Sequence, residues 1–308
     1  MPGGFNAIAD IVARRAAIAN LTVGVASESS PGQQVDTEDQ SVPGLDGEPN
    51  VRVRIYRPAD ATGDEPGLFF IHGGGMVIGS IEIEEHVAIR LCTELGAVVV
   101  STSYRKAPEN RHPAQLNDCY AALVWMADHA DDIGFDRNRL AIYGASAGGN
   151  LTIAVALTAR DRGFPAVSFI MPVYPMLDDR NETGSSRAIT GVGIWDRSAN
   201  VEAWEWFLGG QQVDEFAAPS RAADLSGLPP TFIDVGDVDL FRDEDIEFAT
   251  RLVQAGVPTE LHVYPGAYHG SETFAPDAEL SRRIWSNRLA ALERAFGPRD
   301  AERSKPRI

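Results

Sequence analysis

The sequence predicts an α/β fold with a mostly parallel central sheet that is covered by helices on both faces. Short, strand-like segments, most of them apolar runs, recur from residue 51 onward, and helical patterns lie between several of them. The length of 308 residues suffices for one large α/β domain with an elaboration. Ligands of such folds bind beyond the carboxyl ends of the strands, so we expect functional residues directly after strands.

The elements are predicted in order along the chain. The first strand has period-two alternation, with Arg52 and Arg54 on one face, and the helices show apolar periodicity. The predicted strands are residues 51–56, 68–71, 98–101, 140–143, 168–173, 231–235 and 260–264. The predicted helices are residues 84–95, 114–130, 150–160, 243–255 and 277–296.

Two stretches interrupt the alternation of strands and helices. The segment before residue 51 is predicted to carry an amphipathic helix and then a polar, Gly/Pro-rich loop, and residues 177–230 combine tryptophans with many turn residues. Long insertions after strands commonly form lids over active sites. We therefore expect a discontinuous helical cap subdomain of residues 1–50 and 177–230, and an α/β domain of residues 51–176 and 231–308.

Composition excludes several classes of protein. The formal net charge of −17 repels phosphate backbones, so no nucleic-acid partner is expected. Cys92 and Cys119 are too few for a disulfide framework, and no Cys/His cluster has zinc-ligand spacing. Asp10, Arg14 and Arg15 break the first apolar runs, which is not typical of a signal peptide, and no apolar run could span a bilayer. We expect no stable membrane insertion and a reduced, cytoplasmic protein.

The strongest motif is Gly144-Ala145-Ser146-Ala147-Gly148, which lies between a predicted strand and a predicted helix. A bare G-x-S-x-G is weak evidence, because turns of small residues are common. In the strand–turn–helix context, however, the tight turn strains the serine and lifts its hydroxyl above the sheet. The helix dipole also favours developing negative charge there. We therefore predict that Ser146 is a catalytic nucleophile.

A run of three glycines follows the histidine at the end of predicted strand 68–71. Attack on a carbonyl produces a tetrahedral oxyanion that needs backbone N–H donors, and a glycine run lets such amides point outward together. Taken alone, the run indicates a flexible turn, but its position relative to the serine motif favours an oxyanion hole. The predicted oxyanion residues are Gly73, Gly74, Gly75 and Ala147, and His72 is expected to shape the loop.

A nucleophile on such a turn needs an acid and then a histidine base later in the chain. His262 lies within a predicted strand, where its side chain cannot easily reach the top of the sheet. We therefore predict His269, in the loop beyond that strand, as the base. Asp237 and Asp239 both follow the preceding strand and are both candidate acids, and position alone favours Asp239 only slightly. Residues 243–245 are expected to stabilise the N-terminus of the next helix.

Four blocks in consistent order resemble the hormone-sensitive-lipase family of α/β-hydrolase esterases, bacterial family IV. They are H-G-G-G at residues 72–75, Y-R-K-A-P-E at 104–109, G-A-S-A-G-G at 144–149 and D-L-F-R-D at 239–243. The resemblance implies the α/β-hydrolase fold and a serine carboxylesterase that acts on small esters with short-to-medium acyl chains. It implies no metal or organic cofactor, and homodimer formation by analogy with relatives.

The resemblance also implies the role of each site residue. It assigns the nucleophile to Ser146, the acid to Asp239, the base to His269 and the oxyanion donors to Gly74, Gly75 and Ala147, with Gly73 shaping the loop. Tyr104 and Glu109 match a block that supports the site structurally. Ala145 stands where the family usually has Asp or Thr, so the usual subfamily division does not apply, and Leu240 replaces a common Pro.

Other functions are compatible with the predicted residues. A lactonase or an amidase would use the same triad, although amidases and peptidases of this fold usually carry an extra propeller or an amine-binding site. A non-catalytic ligand-binding relative would lack the late histidine, which His269 argues against. The tryptophans of the cap either line an acyl pocket or form the cap's own core.

Overall fold

The computed structural model describes residues 5–26 and 35–297, in which one eight-stranded sheet has the spatial order β1-β2-β4-β3-β5-β6-β7-β8. The strands are β1 (Val35–Val42), β2 (Val51–Pro58), β3 (Glu65–Ile71), β4 (Val98–Ser103), β5 (Phe135–Ala145), β6 (Phe169–Val173), β7 (Thr231–Gly236) and β8 (Thr259–Tyr264). The helices are α1 (Ile11–Ala26), α2 (Glu85–Leu95), α3 (Ala114–Asp128), α4 (Ala130–Ile133), α5 (Ala147–Arg162), α6 (Gly184–Ala188), α7 (Arg197–Leu208), α8 (Arg242–Gln254), α9 (Ser271–Phe274) and α10 (Glu279–Phe296).

The sheet is parallel from β4 to β8, and β2 runs antiparallel to both of its neighbours. Side chains of a strand alternate between the two faces, and β3 displays this directly. Phe69 and Ile71 join the core layer that contains α3 and α5, whereas Leu68 and Phe70 join the layer that contains α2 and α10. The predicted α/β architecture, with helices on both faces of a mostly parallel sheet, is confirmed.

All the predicted strands and helices are present, with shifted ends. The prediction of a loop before residue 51 is wrong for Val35–Val42, which form the edge strand β1 and pair with β2. Most of β1 faces solvent, and only Val42 is buried, so the strand lacks an apolar pattern that would reveal it. Asp39 on β1 instead binds Arg52 and Arg54 across the strand pair. Part of residues 1–50 therefore belongs to the sheet.

The first helix lies against the segment of residues 177–230. Arg14 on α1 is fully buried and donates to Glu202 on α7 at 2.5 Å. Arg15 donates to the carbonyl oxygens of Val77 and Ala107, both at 2.7 Å. The N-terminal helix is thus attached to α7 and to the loop that follows β3. Among the described helices, none has the length and apolar character that crossing a membrane would require.

A buried ion network attaches α10 to the sheet. Arg288 donates to Asp234 on β7 at 2.7 Å and to Glu272 on α9 at 2.6 Å, and its side chain is only 3% exposed. Burial raises the pKa of Asp234, although Arg288 opposes this effect. Burial also raises the pKa of Glu272, but Arg288 outweighs it, so that this pKa is lowered. The network keeps both carboxylates paired in the interior.

We expect Arg288→Met to destabilise the protein by about 3–5 kcal/mol, because it leaves two buried carboxylates without a cation to pair with. Arg294→Met is the matched control on the same helix, since Arg294 makes an exposed ion pair with Glu260. That change should cost about 1 kcal/mol or less. The measurement is the free energy of unfolding in urea, and equal losses for the two variants would show that burial of the Arg288 network contributes nothing.

Candidate active site

Ser146 lies in the tight turn between β5 and α5, as predicted. Its backbone has φ 59° and ψ −116°, an uncommon conformation for a residue with a side chain. A Cβ at Gly144 would collide with the carbonyl of Gly148, and one at Gly148 would collide with the carbonyl of Ile71 on β3. The flanking glycines are therefore required by close contact between backbones.

A chain of hydrogen bonds joins three of the predicted residues. The His269 Nδ1 lies 2.9 Å from Asp239 Oδ2, and its Nε2 lies 3.0 Å from Ser146 Oγ. Because a carboxylate only accepts, Nδ1 carries the hydrogen and Nε2 accepts from the serine hydroxyl. Asp239 is 1% exposed, and its second oxygen accepts the N–H of Phe241 at 3.0 Å. The arrangement can remove the proton of Ser146 and hold the resulting imidazolium.

Aromatic rings hold the imidazole of His269 from two sides. The rings of Tyr174 and Phe241 contact it edge-on, with centroid separations of 4.7 Å and 5.2 Å. The Tyr174 hydroxyl donates to Glu272 at 2.8 Å, and Glu272 accepts in turn from Arg288. The buried network of α10 therefore reaches the ring that touches His269. Sequence reasoning missed Tyr174, which follows β6 and belongs to no recognised motif.

The rival candidates have other partners. His262 Nε2 lies 2.7 Å from Glu260 Oε1, and its ring stacks on Phe232 within the β7–β8 region. Asp237 accepts the N–H of Gly266 at 2.7 Å and so ties the start of the His269 loop to β7. The structure therefore distinguishes the two candidate acids. Asp239 contacts His269, whereas Asp237 supports the loop that carries His269.

The acidic residues at the start of α8 also bind backbone N–H groups of the 177–230 segment, which the sequence did not predict. Asp243 accepts the N–H of Ser185 at 2.7 Å. Glu244 is buried and accepts the N–H groups of Leu177 and Asp178 at 2.7 Å and 3.2 Å. These first-turn carboxylates thus fasten the beginning of the 177–230 segment beside Asp239, in addition to lying at a helix N-terminus.

The oxyanion loop follows β3, and Gly74 and Gly75 have φ values of 110° and 60°. Among the described residues, no acceptor takes the N–H groups of Gly74, Gly75 or Ala147. Ala147 is the first residue of α5, where a helix leaves its N–H groups unbonded. Gly73 differs, because its N–H donates to Glu84 Oε1 at 2.8 Å. The prediction of Gly73 as an oxyanion donor is therefore wrong.

His72 holds the conformation of this loop through contacts with Gly73 and Tyr104. Its Nδ1 lies 2.8 Å from the carbonyl oxygen of Gly73, its ring stacks on Tyr104, and the Tyr104 hydroxyl donates to the His72 carbonyl at 3.1 Å. Burial lowers the pKa of His72 to about 3, so the ring is neutral near pH 7. A fixed Gly73 carbonyl also fixes the opposite direction of the Gly74 N–H across the same planar peptide.

The 177–230 segment reaches both loops of the site. The ring of Trp195 packs against Gly75, where a Cβ would collide with it. Ile194 lies 3.5 Å from the position of a Cβ on Gly270, next to His269. Trp204, by contrast, is buried beside Phe207 within α7. The sequence left two interpretations of the tryptophans, as part of a pocket or as core. Trp195 lies at the site, whereas Trp204 belongs to the core of the 177–230 segment.

Comparison with known families agrees with this geometry. A family model described as alpha/beta hydrolase fold matches residues 68–273, which contain the oxyanion loop, Ser146, Asp239 and His269. The chain belongs to the α/β-hydrolase family. The predicted resemblance to the hormone-sensitive-lipase type is confirmed, and the protein is classed as a carboxylic ester hydrolase.

Relatives and solved structures resemble nearly the whole chain. Carboxylesterase NlhH from Mycobacterium tuberculosis is 35% identical over 265 residues, which cover 84% of this chain and 82% of that protein. A bacterial heroin esterase is 39% identical with a TM-score of 0.90, covering 96% of this chain and 94% of that one. An esterase from Pyrobaculum calidifontis is 33% identical with a TM-score of 0.86, covering 92% and 93%.

Metal ligation finds no support in the described part of the chain, where no three His, Cys, Asp or Glu side chains are grouped to hold an ion. The residues around Ser146 are arranged for proton transfer and for donation of N–H groups.

Matched substitutions test the different roles of Asp237 and Asp239. Asp239→Asn should lower kcat by about four orders of magnitude, because an amide in place of the carboxylate favours the wrong tautomer of His269. Asp237→Asn keeps an oxygen for the Gly266 N–H, so its effect should be about tenfold or less. Steady-state hydrolysis of a chromogenic ester measures both, and the reverse ranking would contradict the role assigned to Asp239.

Proposed function

We propose that this hydrolase cleaves short-to-medium acyl carboxylic esters by serine-dependent acyl transfer. The observation that carries the proposal is the hydrogen-bonded chain from Ser146 through His269 to Asp239, beside the free N–H groups of the oxyanion loop. The relatives support the ester bond as the target, since they are named carboxylesterase, esterase and arylesterase. Lactone or amide hydrolysis would use the same residues, but the names of these relatives favour neither reaction.

In the first step, His269 Nε2 takes the proton of Ser146 while Oγ attacks the carbonyl carbon of the ester. The electron pair of the carbonyl moves to oxygen, and the N–H groups of Gly74, Gly75 and Ala147 stabilise the oxyanion. Asp239 orients the imidazole and stabilises its charged form. When the tetrahedral intermediate collapses, the alcohol leaves with the proton from His269, and the acyl group stays on Ser146.

In the second step, water replaces the alcohol. His269 takes a proton from the water, whose oxygen attacks the acyl carbon, and the oxyanion forms again in the same hole. Collapse breaks the bond to Ser146 Oγ, which recovers its proton from His269. The carboxylic acid is released and the enzyme returns to its starting state.

Replacement of the nucleophile tests this proposal directly. Ser146→Ala should lower kcat by about a millionfold, because no other hydroxyl takes its place in the hydrogen-bonded chain. Circular dichroism and the melting temperature confirm that the variant is folded. If a folded Ser146→Ala protein kept more than a few per cent of wild-type ester hydrolysis, the proposal would be wrong.

We also propose that α1 and residues 177–230 form a cap that limits the length of the acyl chain. The ion pair of Arg14 with Glu202 joins the two pieces, and Trp195 and Ile194 bring the second piece against the oxyanion and histidine loops. Strand β1 is not part of this cap, because it pairs with β2. The acyl chain would then lie on the Trp195 side of the glycine run.

Shortening of Trp195 tests the cap. Trp195→Ala should raise kcat/KM for octanoyl relative to acetyl esters by about tenfold or more, because removal of the indole makes room for additional CH₂ groups. Trp206→Ala is the control, since that ring lies in the same segment but faces Arg14. If both variants changed the ratio equally, the effect would come from general loosening and not from the pocket wall.

A further inference from the structure

One carboxylate beside the nucleophile has no part in the proposed chemistry. Glu84 precedes α2 and makes no side-chain cap to that helix. Its Oε1 instead accepts the Gly73 N–H at 2.8 Å. The position of a Cβ on Gly73 lies 3.2 Å from this oxygen and 3.7 Å from the Cβ of Ser146. Because both distances start from the same point, Glu84 Oε1 lies no farther than 6.9 Å (3.2 Å plus 3.7 Å) from the Cβ of Ser146.

Glu84 also interacts electrostatically with a carboxylate that follows His269. The negative charge of Glu272, three residues beyond His269, acts on the carboxyl of Glu84 and raises its pKa. Glu84 thus contacts the oxyanion loop and interacts electrostatically with Glu272. The residue as a whole is half-buried.

None of the titratable groups that interact with Glu84 neutralises its negative charge. Tyr104 and Tyr143 are buried with raised pKa values and so stay neutral, and Glu272 is already paired with Arg288. Among the described residues, no lysine or arginine forms an ion pair with Glu84. Burial, helped by Glu272 and opposed by the Gly73 N–H, raises the pKa of Glu84 to about 7. A nearby cation would favour the ionised form.

We propose that Glu84 makes this site selective for esters whose alcohol portion carries a positive charge, such as quaternary ammonium esters. The inference rests on the proposed ester hydrolysis at Ser146. Trp195 covers the Gly75 end of the glycine run, whereas Glu84 occupies the Gly73 end, which leaves the latter side for the alcohol. Opposite charges in a half-buried site attract strongly enough to change kcat/KM by about ten- to a hundredfold.

The test compares two esters of the same shape, acetylcholine and its uncharged carbon analogue 3,3-dimethylbutyl acetate. The wild-type ratio of kcat/KM for the charged over the neutral ester should exceed that of Glu84→Gln by about tenfold or more. Glutamine retains an oxygen for the Gly73 N–H, and a purely structural role would lower both esters equally and leave the ratio unchanged. Glu85→Gln is the matched control, because the carboxylate of Glu85 is paired with Arg54.

The wild-type protein gives a second readout that needs no variant. The ammonium charge does not titrate, and any effect of pH on the chemical steps that the two esters share cancels in the ratio. Because the pKa of Glu84 is raised, its charge is present above about pH 7 and lost below it, and the ratio should rise with pH through this range. A ratio that is flat with pH and unchanged in Glu84→Gln would overturn the inference while leaving ester hydrolysis intact. If a chromogenic ester were cleaved but neither of these two, the inference would fail and the proposed function would stand, whereas loss of both activities would overturn both.

Discussion

The site depends on one close contact between two backbones. The turn that carries Ser146 packs onto the end of β3, where Gly148 leaves no room for a side chain against the carbonyl of Ile71. The oxyanion loop begins directly after Ile71, so this contact sets the distance between the nucleophile and the donors of the loop. A larger residue at Gly148 would separate the two halves of the site, even if each kept its own local structure.

The remaining parts of the site are attached to this pair of strands from different directions. Hydrogen bonds of His72 and Tyr104 hold the oxyanion loop from below, and β7 and β8 supply Asp239 and His269 at the same edge of the sheet. The 177–230 segment contacts Gly75 through Trp195, and its beginning is fastened by Glu244 at the start of α8. Catalytic geometry in this molecule is thus a property of the whole sheet and not of any single loop.

Much of this arrangement can be predicted from the sequence, because buried parallel strands leave apolar runs and tight turns leave glycines. The nucleophile turn and the late histidine follow from those patterns. Strand β1 does not, since an exposed edge strand such as V-D-T-E-D-Q-S-V needs no apolar face. The choice between Asp237 and Asp239 also required the structure, because the two residues differ only in the direction of their side chains. Gly73 was misjudged because its partner, Glu84, lies eleven positions away.

The buried network of Arg288 links the helix α10 to His269. It runs from α10 through Glu272 to Tyr174, whose ring contacts the imidazole of His269. The last helix of the described chain therefore supports the imidazole of His269 through Glu272 and Tyr174. Detachment of α10 would therefore act at two places together, because it would free the ring of Tyr174 beside His269 and would leave the carboxylate of Asp234 on β7 without its cation.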